Sequence, residues 1–187
     1  SVIFIARGTL DYWQGWAVSF LLLVPMTVFS IHMLRTDPEF LAIRFHAKEK
    51  ETFQQLIAPF GWIGTLGCVL VPPLALRFNW SPSPSLAIQI IALVLVFLSY
   101  VGDCVVFLEN RWASRIIEAQ PGQKVISTGL YGIVRHPMYV FSLSLYAAQS
   151  VALGSYLGLI PFSFTVIFFI FRIKNEEDVL TRDLQGY

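Results

Sequence analysis

The sequence predicts an all-α integral membrane protein with about five transmembrane helices and a C-terminal helical hairpin. Of its 187 residues, 56% are hydrophobic and only 13% are charged, whereas about a quarter of a soluble domain is charged. Apolar residues occur in runs near the ~20 residues that cross a bilayer. Basic residues collect in alternate loops, as expected of a chain that crosses a membrane repeatedly.

The first three predicted spans are long uninterrupted apolar runs at 16–34, 56–76 and 86–108. The second carries Gly61, Gly64 and Gly67 on or near one helix face. Small residues at this spacing let two membrane helices approach closely. We therefore interpret the glycines as a helix-packing surface rather than as part of a catalytic or binding site.

The last apolar block, 139–173, is interrupted near its middle by "GSYLG". This break predicts a tight helical hairpin of two short spans, 139–153 and 156–173. Residues 1–187 are treated as a single membrane domain. The chain starts without Met and stops at "LQGY", from which we expect residues to be missing at both ends.

Basic residues fix the predicted orientation. If each span crosses once, eleven of the thirteen Lys and Arg fall on one side and only Arg7 and Arg77 on the other. The positive-inside rule makes the richer side cytoplasmic. The eleven residues are Arg35, Arg44, Lys48, Lys50, Arg111, Arg115, Lys124, Arg135, Arg172, Lys174 and Arg182. On this side, the mixed segment "TDPEFLAIRFHAKEKET" is predicted to lie along the membrane surface.

Composition also excludes several classes of protein. A net charge of +1 argues against nucleic-acid binding, which requires a basic patch. Cys68 and Cys104 lie in apolar runs and give no disulfide or zinc pattern. His32 and His46 have no partner at metal-ligand spacing, so no metal site is predicted.

Polar residues concentrate at the two ends of the predicted hairpin. Arg135 and His136 precede it, and "RIKNEEDVL", with Arg172, Glu176 and Glu177, follows it. An up-and-down hairpin returns both ends to one face, so residues about forty apart are predicted to line one polar pocket. Charged side chains beside a bilayer are energetically costly unless they pair with an opposite charge or serve a function. The alternative is that they snorkel towards headgroups.

Asp103 is an acidic residue inside the third predicted span. Intramembrane charges are functional candidates by default. Because Asp103 lies near the cytoplasmic end of its span, a bond to a neighbouring helix is the alternative interpretation.

The motif "VISTGLYGIVRHPMY", followed by "RIKNEEDVL", resembles the signature of the isoprenylcysteine carboxyl methyltransferase family. This family is akin to the phospholipid N-methyltransferases, and its members are small membrane enzymes that use S-adenosylmethionine. "RGTLDYWQGW" and "NRWASRIIEAQPGQKVIS" are similar to segments of its bacterial members, so the likeness covers nearly the whole chain. Family members usually continue past "GY" with a basic and aromatic stretch.

The resemblance implies a cofactor pocket at the cytoplasmic face. It implies that the pocket is built by Tyr131, Arg135, His136, Pro137, Met138 and Tyr139 and closed by Glu176 and Glu177. For catalysis we predict Arg135 as an anion clamp, and Glu176 or Glu177 as its partner or that of the cofactor. His136 is expected to shape the pocket, or to act as a base if the acceptor is an amine or thiol. Tyr131 and Tyr139 are expected to flank adenine or the sulfonium.

The predicted function is S-adenosylmethionine-dependent methyl transfer to a lipid-like acceptor that enters from the bilayer. The resemblance favours carboxyl O-methylation of an isoprenylcysteine-type substrate in the bacterial inner membrane. One alternative is a phospholipid or small-lipid N-methyltransferase. Another is a non-catalytic transporter subunit or assembly factor that binds a partner with its charged hairpin ends. The sequence shows no internal repeat of the kind common in transporters.

Overall fold

The computed structural model describes residues 2–38, 52–110, 112, 123–184 and 186–187. Within this part of the chain there are six α-helices and no strand, which confirms the predicted all-α class. In chain order they are α1 (Val2–Arg7), α2 (Trp13–Thr36), α3 (Thr52–Phe78), α4 (Leu86–Glu109), α5 (Pro137–Ala152) and α6 (Leu159–Asp183). Two 3-10 turns, Gly129–Gly132 and Tyr156–Gly158, precede α5 and α6.

Four segments are long and apolar enough to cross a bilayer: α2, α3, α4 and α6 with its preceding turn. The protein is therefore an integral membrane protein, as predicted. The other predicted span, 139–153, corresponds to α5, which has 16 residues. At 1.5 Å per residue α5 is about 24 Å long, shorter than the ~30 Å hydrocarbon core. The count of five crossings stays a prediction.

The C-terminal hairpin forms where the sequence predicts it. Gly154 adopts φ +94°, and the Ser155 hydroxyl accepts a hydrogen bond from the Leu157 amide at 3.2 Å. The second arm is longer than predicted, because α6 does not end near residue 173 but continues to Asp183. The polar stretch after 173 contains strong helix formers and no Gly or Pro before Gly186, so nothing stops the helix where the apolar run ends.

Close packing of α3 against α6 confirms the interpretation of the glycine face. A Cβ on Gly61 would lie 2.7 Å from the Phe168 ring, and one on Gly64 would lie 2.8 Å from the Thr165 backbone nitrogen. Gly67 lies against Pro161 in the same way. The two helices run antiparallel at a separation that larger residues would prevent.

The helix directions define two ends of the molecule. α2 and α4 run parallel: Gln14 Nε2 donates to Gln89 Oε1 at 3.1 Å, and the Phe29 and Phe107 rings lie 6.1 Å apart. We call the end where α2, α4 and α6 finish the basic end, and the opposite one the far end. Basic residues of the described chain at the basic end are Arg35, Lys124, Arg135, Arg172, Lys174 and Arg182. Arg7 and Arg77 lie at the far end.

Several predicted features lie outside the described residues. These are most of the predicted surface segment, His46, and the basic residues Arg44, Lys48, Lys50, Arg111 and Arg115. The main apolar cluster of the described chain lies towards the far end, where Tyr12, Val18, Val96 and Leu153 are buried together.

Candidate active site

The Arg-His-Pro motif lies at the start of α5, at the basic end. Pro137 occupies the first helical position and His136 precedes it as the N-cap. Proline suits this position because the first turn of a helix needs no amide donor. The chain before Pro137 is therefore free to leave the helix axis, and it carries Arg135 and His136 to the surface between α5 and α6.

The "GLYG" turn before the motif is attached to the end of α4. The Leu130 amide donates to Glu109 Oε2 at 2.9 Å. Gly129 adopts φ +57°, and a Cβ at that position would collide with the Glu109 carboxylate. The turn thus depends on a glycine and holds Tyr131 beside Asn110, which hydrogen-bonds to it. Glu109 and Asn110 were not among the predicted site residues.

A cavity of about 350 Å³ opens between this turn, the motif and the end of α6. This volume lies within the ~300–1,000 Å³ of small-molecule sites. The lining residues are Asn110, Trp112, Gln123, Lys124, Val125, Ile126, Ser127, Tyr131, Arg135, His136, Met138, Tyr139, Glu176, Leu180, Thr181, Leu184 and Tyr187.

The cavity brings together most of the residues predicted for the cofactor pocket. Six of them line it: Tyr131, Arg135, His136, Met138, Tyr139 and Glu176. Pro137 is buried at the start of α5 and Glu177 lies beside the motif; neither is among the lining residues. Residues 123–127 and the end of α6 were not predicted as pocket residues. Although 125–127 open the quoted motif, the resemblance assigned roles only from Tyr131 onward.

Glu177 ties the motif to α6. Its Oε1 lies 3.1 Å from His136 Nε2 and 3.6 Å from Arg135 Nη1. The Arg135 side chain is 77% exposed, and exposed ion pairs contribute only ~0–1 kcal/mol. The half-buried His136 contact therefore matters more for joining the helices, and the Arg135 guanidinium remains accessible at the cavity rim.

Glu176 ends a chain of hydrogen bonds that crosses three helices. The Tyr139 hydroxyl donates to Glu176 Oε2 and accepts from Arg172 Nε at 3.1 Å. Arg172 Nη1 donates to Gln54 Oε1 at 3.1 Å. The sequence placed Arg172 at the hairpin exit without a role, and it did not single out Gln54.

Two phenols at the cavity keep their protons. Burial raises the pKa of Tyr131, and the Glu176 and Glu109 carboxylates add to the rise while the Asn110 hydrogen bond opposes it. Burial also raises the pKa of Tyr187, with a further contribution from Glu177. Since an ordinary tyrosine titrates near pH 10, both side chains are neutral at physiological pH and can donate hydrogen bonds.

Asp103 is not among the cavity-lining residues. It lies in α4 within electrostatic range of Tyr146 on α5, which is compatible with the interhelical interpretation. A functional role for Asp103 stays a prediction.

Comparison with known proteins identifies the family. The model of the isoprenylcysteine carboxyl methyltransferase (ICMT) family matches residues 87–182, which is just over half of the chain. No curated protein and no solved structure matches. The matched segment includes nearly all of α4 and of α6, together with the "GLYG" turn and the motif. The chain therefore belongs to the isoprenylcysteine carboxyl methyltransferase family, a family of methyltransferases.

Proposed function

We propose that this protein transfers a methyl group from S-adenosylmethionine to the carboxylate of a lipid-like acceptor, most simply an S-prenylated cysteine. The observation that carries the proposal is the cavity at the basic end, which Arg135, His136 and Glu176 line together. Such a cavity at one end of an apolar bundle is open to a polar cofactor, and the membrane around the bundle supplies a lipid-like acceptor.

The lining residues fit the cofactor. S-adenosylmethionine carries a carboxylate, an ammonium, ribose hydroxyls, an adenine and a sulfonium, and when bound it supplies the methyl group. Arg135 offers a guanidinium for a carboxylate, and Glu176 offers a carboxylate for an ammonium or a hydroxyl. Tyr131 and Tyr139 offer aromatic faces for adenine or a cation.

Arg172 is a better candidate than Arg135 for holding the acceptor carboxylate. Arg135 is largely exposed, whereas Arg172 is partly buried beside Gln54 and the cavity-lining Tyr139. Guanidinium binding of a carboxylate is stronger where water is excluded. We therefore assign Arg135 to the cofactor and Arg172 to the acceptor.

These residues align and desolvate the reactants rather than move protons. Methyl transfer would break the bond from sulfur to the methyl group, form an ester at the acceptor carboxylate and release the neutral thioether S-adenosylhomocysteine. Both charges disappear in this step, so a dry and well-oriented site favours it. The orientation comes from the chain that fixes Arg172, Tyr139 and Glu176. With the basic residues concentrated at this end, we infer that the cavity faces the cytoplasm of a bacterial inner membrane.

Calorimetric titration of the detergent-purified protein with S-adenosylhomocysteine tests the cofactor assignment. We expect binding, and we expect Glu176→Ala and Arg135→Ala to weaken it about tenfold, the loss typical of one charge-assisted hydrogen bond. Arg182→Ala is the matched control, because Arg182 lies on the same helix end but pairs with Asp183 at 2.8 Å. A folded protein that binds no S-adenosylhomocysteine contradicts the methyltransferase assignment and favours a non-catalytic role.

The pH dependence of methyl transfer separates a carboxylate acceptor from an amine acceptor. A carboxylate is fully ionised above about pH 6, so the rate should be level from there to pH 9. An amine must lose a proton, and its rate should rise over this range and depend on a base such as His136. His136→Gln should lower the rate of an amine reaction much more than that of a carboxylate reaction.

A further inference from the structure

The first turn of α3 contributes a buried amide to the site from outside the segment shared with the family. Gln54 is 1% exposed, and its Oε1 accepts a hydrogen bond from Arg172 Nη1 at 3.1 Å. The family match begins at residue 87, so the region that includes Gln54 is not part of it. Arg172, Tyr139 and Glu176 all lie inside the matched segment, and their arrangement is completed by a residue from the N-terminal half of the chain.

The orientation of the Gln54 amide follows from the chemistry of its partner. A guanidinium only donates hydrogen bonds, so the amide oxygen must face Arg172 and the amide nitrogen must point elsewhere. Gln54 Nε2 is buried and has no hydrogen-bond partner within the part of the chain that the structure describes. A buried unpaired donor costs about 1–3 kcal/mol. An apolar side chain of similar size at residue 54 would avoid this cost but would leave Arg172 Nη1 without its Gln54 acceptor, so what the glutamine supplies at this position is the acceptor oxygen.

The contact fixes the plane of the Arg172 side chain. Nη1 is held by Gln54 on α3 and Nε by Tyr139 on α5, and a planar group bound at two nitrogens cannot rotate. The Tyr139 hydroxyl accepts from Arg172, so its own proton is directed to Glu176, as observed. Arg172 therefore donates in two directions, to Gln54 Oε1 on one side and to the Tyr139 hydroxyl on the other, and the Tyr139 proton continues the chain to the cavity carboxylate.

We propose that Gln54 is a positioning residue for the methyl-transfer reaction, which it controls by holding Arg172 in the orientation that binds the acceptor carboxylate. The proposal rests on the proposed function and adds to it a determinant outside the family segment. The property that matters is the acceptor oxygen at residue 54. A variant that keeps this oxygen should keep the activity.

Two substitutions separate the oxygen from the rest of the side chain. Gln54→Leu removes the acceptor for Arg172 at similar size, and Gln54→Glu keeps it and replaces the unpaired donor with a second oxygen. With an N-acetylated S-prenylcysteine as the acceptor, we expect Gln54→Leu to lower kcat about 10- to 100-fold, the effect of losing a hydrogen bond to a charged group. Its affinity for S-adenosylhomocysteine should stay within about threefold. The separate variant Gln54→Glu should keep kcat within about threefold of the value of the unaltered protein.

Gln55→Leu and Gln55→Glu are the matched controls, because Gln55 is the neighbouring residue on the same turn and is exposed. Both should leave kcat unchanged. Full activity in Gln54→Leu would overturn the proposal. So would equal losses of kcat, cofactor affinity and melting temperature in both Gln54 variants, because that pattern indicates a structural role.

A readout that needs no turnover keeps this inference separate from the proposed function. In protein labelled with ¹⁵N-arginine, the Arg172 Nε–H signal is identified by its loss in Arg172→Lys. We expect slow hydrogen exchange at this proton in the unaltered protein and in Gln54→Glu, and fast exchange in Gln54→Leu. If the protein neither binds S-adenosylhomocysteine nor transfers methyl groups, the proposed function fails. The positioning of Arg172 is then accepted or rejected on this signal alone.

Discussion

The two ends of the bundle use similar polar side chains for different purposes. At the far end they join helices: the Tyr12 hydroxyl donates to the Leu153 carbonyl, and Gln14 donates to Gln89. At the basic end the chain of hydrogen bonds finishes on Glu176, a carboxylate that borders an open cavity. Polar groups inside a membrane protein need hydrogen-bond partners. At the basic end, Glu176 borders the cavity and can take a ligand as one of its partners.

The side chains that surround these polar groups also differ between the two ends. Tyr12 and Leu153 lie in the main apolar cluster of the described chain, so their hydrogen bond is enclosed by packed side chains. Glu176 and Tyr131 face a cavity whose lining includes the non-helical stretch 123–127. Substitutions at the far end should therefore affect stability, and substitutions at the basic end should affect ligand binding and turnover.

The largest expected effect is that of Tyr139→Phe at the basic end. The substitution removes the hydroxyl that links Arg172 to Glu176, so both charged groups lose a buried partner. We expect methyl transfer to fall about 100-fold, which corresponds to the upper range for hydrogen bonds to charged groups. Initial rates at saturating S-adenosylmethionine measure it. A loss below about threefold would show that the chain of hydrogen bonds does not serve the reaction.

A smaller effect is expected from Gly129→Ala in the "GLYG" turn. Gly129 has φ +57° and lies against Glu109, so alanine brings backbone strain of about 1–2 kcal/mol and a steric conflict. We expect affinity for S-adenosylhomocysteine to fall about tenfold, measured by calorimetry, because Tyr131 and the turn move together.

Gly8→Ala is the far-end counterpart of this change. Gly8 has φ +79°, and its added Cβ would lie 3.0 Å from the Arg77 guanidinium. The strain is similar, but we expect the affinity for S-adenosylhomocysteine to stay unchanged. Equal losses of affinity in the two alanine variants would remove the distinction between the ends.

The smallest expected effect is that of Tyr12→Phe, which removes a buried hydrogen bond at the far end. We expect a loss of about 1 kcal/mol in the free energy of unfolding. For a chain of this size that lowers the melting temperature by about 2–4 °C. Thermal unfolding in detergent measures it, and methyl transfer below the transition should remain within twofold of the unaltered protein. A marked loss of activity in the folded variant would mean that the far end also serves the site.

Hydropathy predicted the long helices because a helix that crosses a membrane needs a long apolar run. It placed the end of α6 too early, because it detects only the apolar part of a helix. The run ends near 173, but the helix continues through Glu176 and Glu177 to Asp183, since helix formation depends on backbone propensity and not on apolarity. The short helix Val2–Arg7 was not predicted, because six residues carry too little periodicity.

The motif predicted one wall of the candidate site and missed the residues that hold it. Arg135, His136 and Tyr139 lie close together in sequence, within one recognisable motif. Glu109 and Gln54, by contrast, are single polar residues near helix ends, and their partners lie 21 and 118 residues away. Only the packing of the "GLYG" turn against α4 and of α3 against α6 brings these pairs together, and no local sequence pattern indicates it.

The unbroken length of α6 has a consequence for how the protein responds to its lipid. With 25 residues the helix is about 37 Å long, and the hydrocarbon core is about 30 Å thick. Pro161 and Thr165 lock its first half against α3, so the depth of Glu176 depends on where the hydrocarbon ends. Bilayers with longer acyl chains should draw Glu176 towards the apolar layer, and thinner ones should leave it in water. Catalytic rate in vesicles should therefore vary with acyl-chain length, which makes membrane thickness a tuning variable for this site.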